Sequence, residues 1–177
     1  MTQHLGNFDV VVIGGGPAGA TAASDLAKAG HSVLMVDREG RTKPCGGAIP
    51  TRAIRDFDLP NHLIKAKIGA ARMISPSKKT VDMEIGDIGF VGMVDRDEFD
   101  PWLRERAAED GAERFTGTFK TLARNEDGTV TCTIAPKAKD AEPVTAGARY
   151  VIGADGANSI VRRDVFGTAK APPYVFA

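Results

Sequence analysis

Gly14, Gly16 and Gly19 stand at G-x-G-x-x-G spacing, and an acid, Asp37, follows 18 residues after the last of them. This constellation suits the binding of a dinucleotide. Gly14 permits a tight turn, Gly16 lets the backbone approach a pyrophosphate, and Gly19 lets a helix press against a sheet. Gly15, Pro17 and Ala18 complete the run GGGPAG. Pro17 fits the first helical position, where a missing N–H costs nothing. The free amides and dipole of such a helix start hold phosphate. Asp37 falls where a ribose-binding carboxylate belongs. A carboxylate there repels a 2′-phosphate, so FAD or NAD is favoured over NADP. Arg38, its neighbour, is read as facing adenine or solvent.

Three further places carry chemistry. Cys45-Gly46-Gly47 lies in the loop GRTKPCGGAIPTR, residues 40–52. A loop this long is functional or disordered. Its bare backbone and one polarisable side chain suit a planar cofactor ring. The plainer reading of Cys45 is a small residue shaping a glycine turn. Arg96 follows a strand and opens a helix, as a cofactor contact or as a salt bridge to Asp97 or Glu98. Asp155-Gly156 ends the apolar strand ARYVIGADG. Asp-Gly makes turns anywhere, but its place after that strand favours a cofactor site. Cys132 is expected in the core and Trp102 in helix packing.

The elements that position these groups are legible in outline. Asp9–Ile13 is a continuous β-branched run, as in a buried parallel strand. An alanine-rich helix follows to about Ala29, then a second strand over Ser32–Val36 that ends at Asp37. Residues 53–64 read as a short helix and 66–94 as β-rich. A helix over 97–110 places Phe99, Trp102, Leu103 and Ala107 on one face. A strand, ERFTGTF, and a hairpin around Asn125-Glu126-Asp127-Gly128 come next. A return strand over 148–156 precedes a last helix capped by Asn158 or Ser159. The fold class is α/β: a Rossmann-like domain with a parallel sheet plus a β-meander, and the start of a β-rich domain. The expected division is 1–65 with 95–170 for the cofactor domain, and 66–94 with 171–177 for the other.

Composition narrows the classes. Lys+Arg and Asp+Glu are both 23, so the formal net charge is zero. With no basic stripe among aromatics, nucleic acid is not expected as a partner. Two cysteines and three scattered histidines make no disulfide framework and no metal site. No apolar run nears the ~20 residues of a membrane-spanning helix. The start, MTQHLGNFD, lacks signal-peptide character. A cytoplasmic location is expected.

GGGPAG, Asp37, the Asp95-Arg96 pair before FDPWL, and GADG together resemble the FAD domain of flavoproteins related to aromatic hydroxylases. More narrowly, KPCGGAIP with IRDFDLP, FVGMVDRDEFDPWLRERAAEDGAE and VIGADGANS resembles the geranylgeranyl reductases, above all the bacteriochlorophyll type. The resemblance implies an enzyme of (bacterio)chlorophyll biosynthesis that binds FAD and reduces geranylgeranyl double bonds toward phytyl. NADPH is the implied hydride source. The implied substrates are geranylgeranyl-bacteriochlorophyll or geranylgeranyl diphosphate. Gly14, Gly16 and Gly19 would take the FAD pyrophosphate and Asp37 the ribose. Cys45, Gly46 and Gly47 would sit near the flavin, with Cys45 as candidate proton donor. Arg96 would reach the ribityl or pyrophosphate region, Phe119 would meet adenine through its backbone, and Asp155 and Gly156 would close the flavin site. An apolar prenyl tail is compatible with peripheral contact to the photosynthetic membrane. Related enzymes that reduce prenylated ether lipids, and flavin monooxygenases of the aromatic-hydroxylase type, share the generic motifs. Members of the resembled family are longer, so this chain is expected to be an N-terminal portion without turnover of its own.

Overall fold

The computed structural model describes residues 2–40, 45 and 47–167. The readings for Gly46 and for 171–177 lie outside the described residues. In chain order the elements are β1 (His4–Ile13), α1 (Pro17–Lys28), β2 (Val33–Asp37), β3 (Ala48–Pro50), α2 (Thr51–Asp56), β4 (Ile64–Ile68), β5 (Ala70–Ile74), β6 (Thr80–Glu84), β7 (Val91–Val94), α3 (Arg96–Glu109), β8 (Glu113–Arg124), β9 (Val130–Pro136), β10 (Val144–Gly153) and α4 (Ile160–Phe166). They form two compact units. One holds the described residues of 1–41 and 102–177, and the other those of 42–101.

In the first unit, β1 pairs in parallel with β2 on one side and β10 on the other, and β2 pairs in parallel with β8. β8, β9 and β10 then form an antiparallel meander. β8 serves both parts because it is long: Glu113–Thr116 lies on β2 and Gly117–Arg124 on β9. The order β1-β10-β9-β8-β2 closes on itself. Strands buried on both faces need apolar residues at every position, which the runs Val10–Ile13 and Val33–Val36 supply. Val11, Ile13, Leu34 and Val36 meet Phe119, Cys132, Ile134 and Ala146 in the core. Cys132 is fully buried, and burial pushes its thiol up to about 11. Successive strand residues alternate faces, so Val10, Val12, Val33 and Met35 point the other way. α1 packs on β1 and β2 through fully buried Ala20 and Ala23.

Two polar ties hold the helices of this unit. Ser24, in α1, donates to Asp110 at 2.5 Å, and Lys28 lies 3.1 Å from the same carboxylate. Burial pushes the Asp110 carboxyl up, but the Ser24 hydroxyl and Lys28 ammonium more than offset this and leave it low. Asp164, in α4, accepts from the Leu122 amide at 2.7 Å and from the Thr121 hydroxyl. These bonds seat α4 beside the irregular register between Phe119 and Thr121.

The second unit has a three-stranded sheet, β3-β7-β4, and a two-stranded ribbon, β5-β6. The β-rich expectation for 66–94 holds locally. The helix expected over 53–64 is shorter: α2 ends at Asp56 and a 3-10 turn occupies Asn61–Leu63. Pro60 explains the break, since it lacks an N–H and drives the preceding residue out of helical geometry. β10 starts at Val144, earlier than expected, because Val144–Ala148 has β9 as its partner. Thr51, at the start of α2, bonds both the carbonyl and the amide of Phe90 through its hydroxyl, which anchors α2 at the entry to β7.

Candidate functional site

The turn between β1 and α1 is built from contacts that leave no room for side chains. Gly14 has φ +110°, a region that favours glycine. Its amide donates to the Val36 carbonyl at 2.8 Å, and a Cβ on it would strike the Ala154 carbonyl. A Cβ on Gly19 would strike the Gly14 carbonyl oxygen itself. The Ala154 amide donates to Ile13 at 2.8 Å, so the GADG turn is stitched to the end of β1. Gly16 is different: among the described residues, nothing lies within 4 Å of the place where its Cβ would stand. It precedes α1, which has no side-chain cap and no acid in its first turn. The first amides of a helix have no intrahelical partner. Open space in front of an uncapped, unopposed helix start suits an anion.

Asp37 ends β2 beside this turn. Its Oδ1 accepts from the Gly15 amide at 3.1 Å and its Oδ2 from the Glu39 amide at 3.2 Å. Arg104, in α3, donates to the Gly15 carbonyl at 3.1 Å and lies 3.6 Å from Asp37 Oδ2. Arg38 is exposed. Pro17 stands at the first helical turn, as expected. Ser159 is the N-cap of α4, its hydroxyl accepting from the Arg162 amide at 2.9 Å, and Asp155 Oδ2 accepts from the Ile160 and Val161 amides at 2.6 and 3.2 Å. The Asp155 Oδ1 is buried with no hydrogen-bond partner among the described residues. A buried carboxylate oxygen without a donor is costly, and a ligand hydroxyl would satisfy it. Gly156 follows, exposed, with φ +84°. Phe119 is buried in the core. The first unit therefore brings Gly14, Gly15, Gly16, Gly19, Asp37 and the 154–156 turn together.

In the second unit, Cys45 and Arg96 come together. Arg96 forms a bidentate pair with Asp100, both bonds at 2.7 Å, with side chains 12% and 9% exposed. The partner is Asp100, one helical turn along, instead of Asp97 or Glu98. The Asp97 amide and Glu98 instead serve Asp95 and Lys65. Cys45 is exposed. The Gly47 amide and then the Arg96 guanidinium hold its thiol below the ordinary thiol range, against burial and the Asp100 charge. Gly47 has φ +67°, and a Cβ on it would strike the Val94 carbonyl. Its carbonyl accepts from the Val94 amide at 3.0 Å, which fixes the cysteine loop to the strand leading into Arg96.

The residues of the first unit fit an adenine dinucleotide: an open approach at Gly16, a carboxylate set by two amides, and an unsatisfied Asp155 oxygen. Sequence reasoning missed Arg104 and Asp100. Their signal lay in α3, where charges recur every fourth residue (Arg96, Asp100, Arg104) beside the apolar file Phe99, Leu103 and Ala107. No metal-ligand cluster occurs among the described residues. No described helix is long and apolar enough to cross a membrane.

Known proteins are similar to this chain in sequence and in fold. The geranylgeranyl diphosphate reductase of Rhodobacter capsulatus is 55% identical over 170 residues, covering 96% of this chain and 42% of that protein. The chloroplastic geranylgeranyl diphosphate reductase of Nicotiana tabacum is 39% identical over 168 residues, covering 90% of this chain and 36% of that protein. The crystal structure of a geranylgeranyl bacteriochlorophyll reductase-like protein from Thermoplasma acidophilum superposes with a TM-score of 0.79 at 31% identity, over 93% of this chain and 42% of that one. The chain thus spans about two-fifths of the length of these relatives. The profile of the family described as "FAD binding domain" matches residues 7–172, nearly the whole chain, and the chain belongs to that family.

Proposed function

We propose that this chain is the FAD-binding part of an NADPH-dependent reductase that saturates double bonds of a geranylgeranyl group. The observation that carries the reading is the 55% identity to a geranylgeranyl diphosphate reductase across 96% of the chain. In this reading the product is a phytyl group for (bacterio)chlorophyll. The substrate is geranylgeranyl-bacteriochlorophyll or geranylgeranyl diphosphate, and the enzyme works in the cytoplasm at the edge of the photosynthetic membrane.

When bound, reduced FAD supplies the hydride chemistry that no side chain can. The protein's own work is placement and proton supply. The α1 N-terminus and Gly16 receive the pyrophosphate, Asp37 the adenosine ribose, and the free Asp155 oxygen a sugar or ribityl hydroxyl. Gly15, Pro17 and Ala18 shape the turn, Arg38 flanks the adenosine, and Phe119 gives adenine a backbone edge. The Cys45–Gly47 loop and Arg96 serve the flavin end. An isolated alkene is a poor hydride acceptor, so the second carbon needs a proton from a nearby acid. Cys45 is assigned that role. Arg96 and the Gly47 amide favour its thiolate, which is the state left after the proton has gone.

The test is anaerobic incubation of the full-length protein with NADPH and geranylgeranyl-bacteriochlorophyll, with pigment mass as readout. The expected result is a gain of one hydrogen pair per reduced bond, lost in Cys45→Ser. No mass gain overturns the reductase reading. Full turnover in Cys45→Ser removes Cys45 as the proton donor.

A further inference from the structure

Arg104 has 11% of its side chain exposed, and arginine is rarely buried so far without partners. Its Nη1 donates to the Gly15 carbonyl and approaches Asp37 Oδ2. Arg104 Cδ and Asp37 Cβ each lie 2.8 Å from where a Cβ on Gly15 would stand. Gly15 is therefore glycine so that the arginine stem and the carboxylate can close around it. The Gly15 amide turns to Asp37 and its carbonyl to Arg104. Three residues remote in sequence thus form one closed unit.

This unit has a consequence for ligand binding. A ribose-binding carboxylate must be held in one orientation. Two amides set the Asp37 oxygens, and the guanidinium stands 3.6 Å behind one of them. A planar guanidinium keeps its geometry better than a flexible ammonium. A site held in its binding shape loses less entropy when the ligand arrives.

We propose that Arg104 is the positioning residue of the adenosine-ribose site, tying the second glycine of the loop to the ribose-binding carboxylate before the dinucleotide arrives. The inference rests on placing the FAD ribose at Asp37. Arg104 acts through Asp37 and Gly15 and does not reach the reacting atoms.

The test is a double-mutant cycle read by flavin fluorescence titration in the full-length protein. Arg104→Met keeps the stem against Gly15 and removes the donors; it is expected to weaken FAD binding roughly 10- to 100-fold, the range for a hydrogen bond to a charged group. Arg104→Lys restores part of the loss. Coupled residues give non-additive effects, so in an Asp37→Asn background the Arg104→Met loss shrinks to about 3-fold or less. Equal losses in both backgrounds, or Arg104→Met binding within about 2-fold of wild type, overturns the positioning role while leaving Asp37 as the ribose site. If Asp37→Asn alone leaves FAD affinity unchanged, the ribose placement fails and the Arg104 proposal fails with it. Should Arg104→Met not fold, the same cycle is run with Arg104→Lys, whose loss must likewise shrink beside Asp37→Asn.

Discussion

Gly19→Ala is expected to abolish FAD binding and to destabilise the fold by roughly 2–3 kcal/mol, the range for overpacking a filled site. The added methyl meets the Gly14 carbonyl oxygen. Gly14 cannot retreat. Its amide is held by Val36, and its own Cβ position is closed by the Ala154 carbonyl. Relief must come from lifting α1 off β1 and β2, where Ala20 and Ala23 are fully buried. That movement swings the first helical amides away from the place proposed for the pyrophosphate. Gly16→Ala is the matched control, because its methyl enters open space. It should change stability by no more than about 0.5 kcal/mol while still weakening FAD, since in the proposed reading the methyl takes the ground of the pyrophosphate. Urea unfolding and flavin fluorescence titration separate the two effects. A Gly19→Ala protein with normal stability and normal FAD affinity would remove the close packing of this turn as the basis of the site.

Asp100→Ala is expected to cost about 3–5 kcal/mol, the range for removing one partner of a buried ion pair. Arg96 and Asp100 are nearly as buried as core residues and share two bonds at 2.7 Å. Removing the acid leaves a guanidinium in a confined place without its counter-charge. Asp100→Asn should cost less, because the amide oxygen still accepts one bond. Function responds through Arg96 in the proposed reading, because its fork loses the group that aims it. Denaturant unfolding at neutral pH checks the stability. A loss below about 1 kcal/mol in Asp100→Ala would mean that the pair is solvated and does not fix the arginine.

The cradle was legible in the sequence because its demands are local. Gly14, Gly16, Gly19 and Asp37 sit within one β-turn-helix-β unit, and the steric needs of that turn admit few residues other than glycine at 14 and 19. The apolar runs 10–13 and 33–36 announced buried parallel strands for the same reason. Legibility failed where a role depends on a partner remote in the chain. Arg104 matters through Gly15 and Asp37, and helical periodicity marked only its apolar neighbours. Arg96 is legible at the helix start, but the adjacent acids Asp97 and Glu98 compete in the sequence with Asp100 as its partner. The helical geometry favours a partner four residues away, so that signal was present. The early start of β10 is not legible because Val144–Ala148 is a strand on account of its partners β1 and β9, not of its own composition.

Flavin displacement from the full-length FAD complex tests the central claim, that the Gly14–Gly19 turn takes the pyrophosphate and Asp37 the adenosine ribose. Two competitors are compared: adenosine diphosphate and the same molecule carrying a 2′-phosphate. The account predicts that adenosine diphosphate displaces FAD, and that the 2′-phosphorylated form does so at least ~10-fold more weakly, because like charges placed together cost several kcal/mol. Equal displacement by both would contradict the assignment of Asp37 to the ribose.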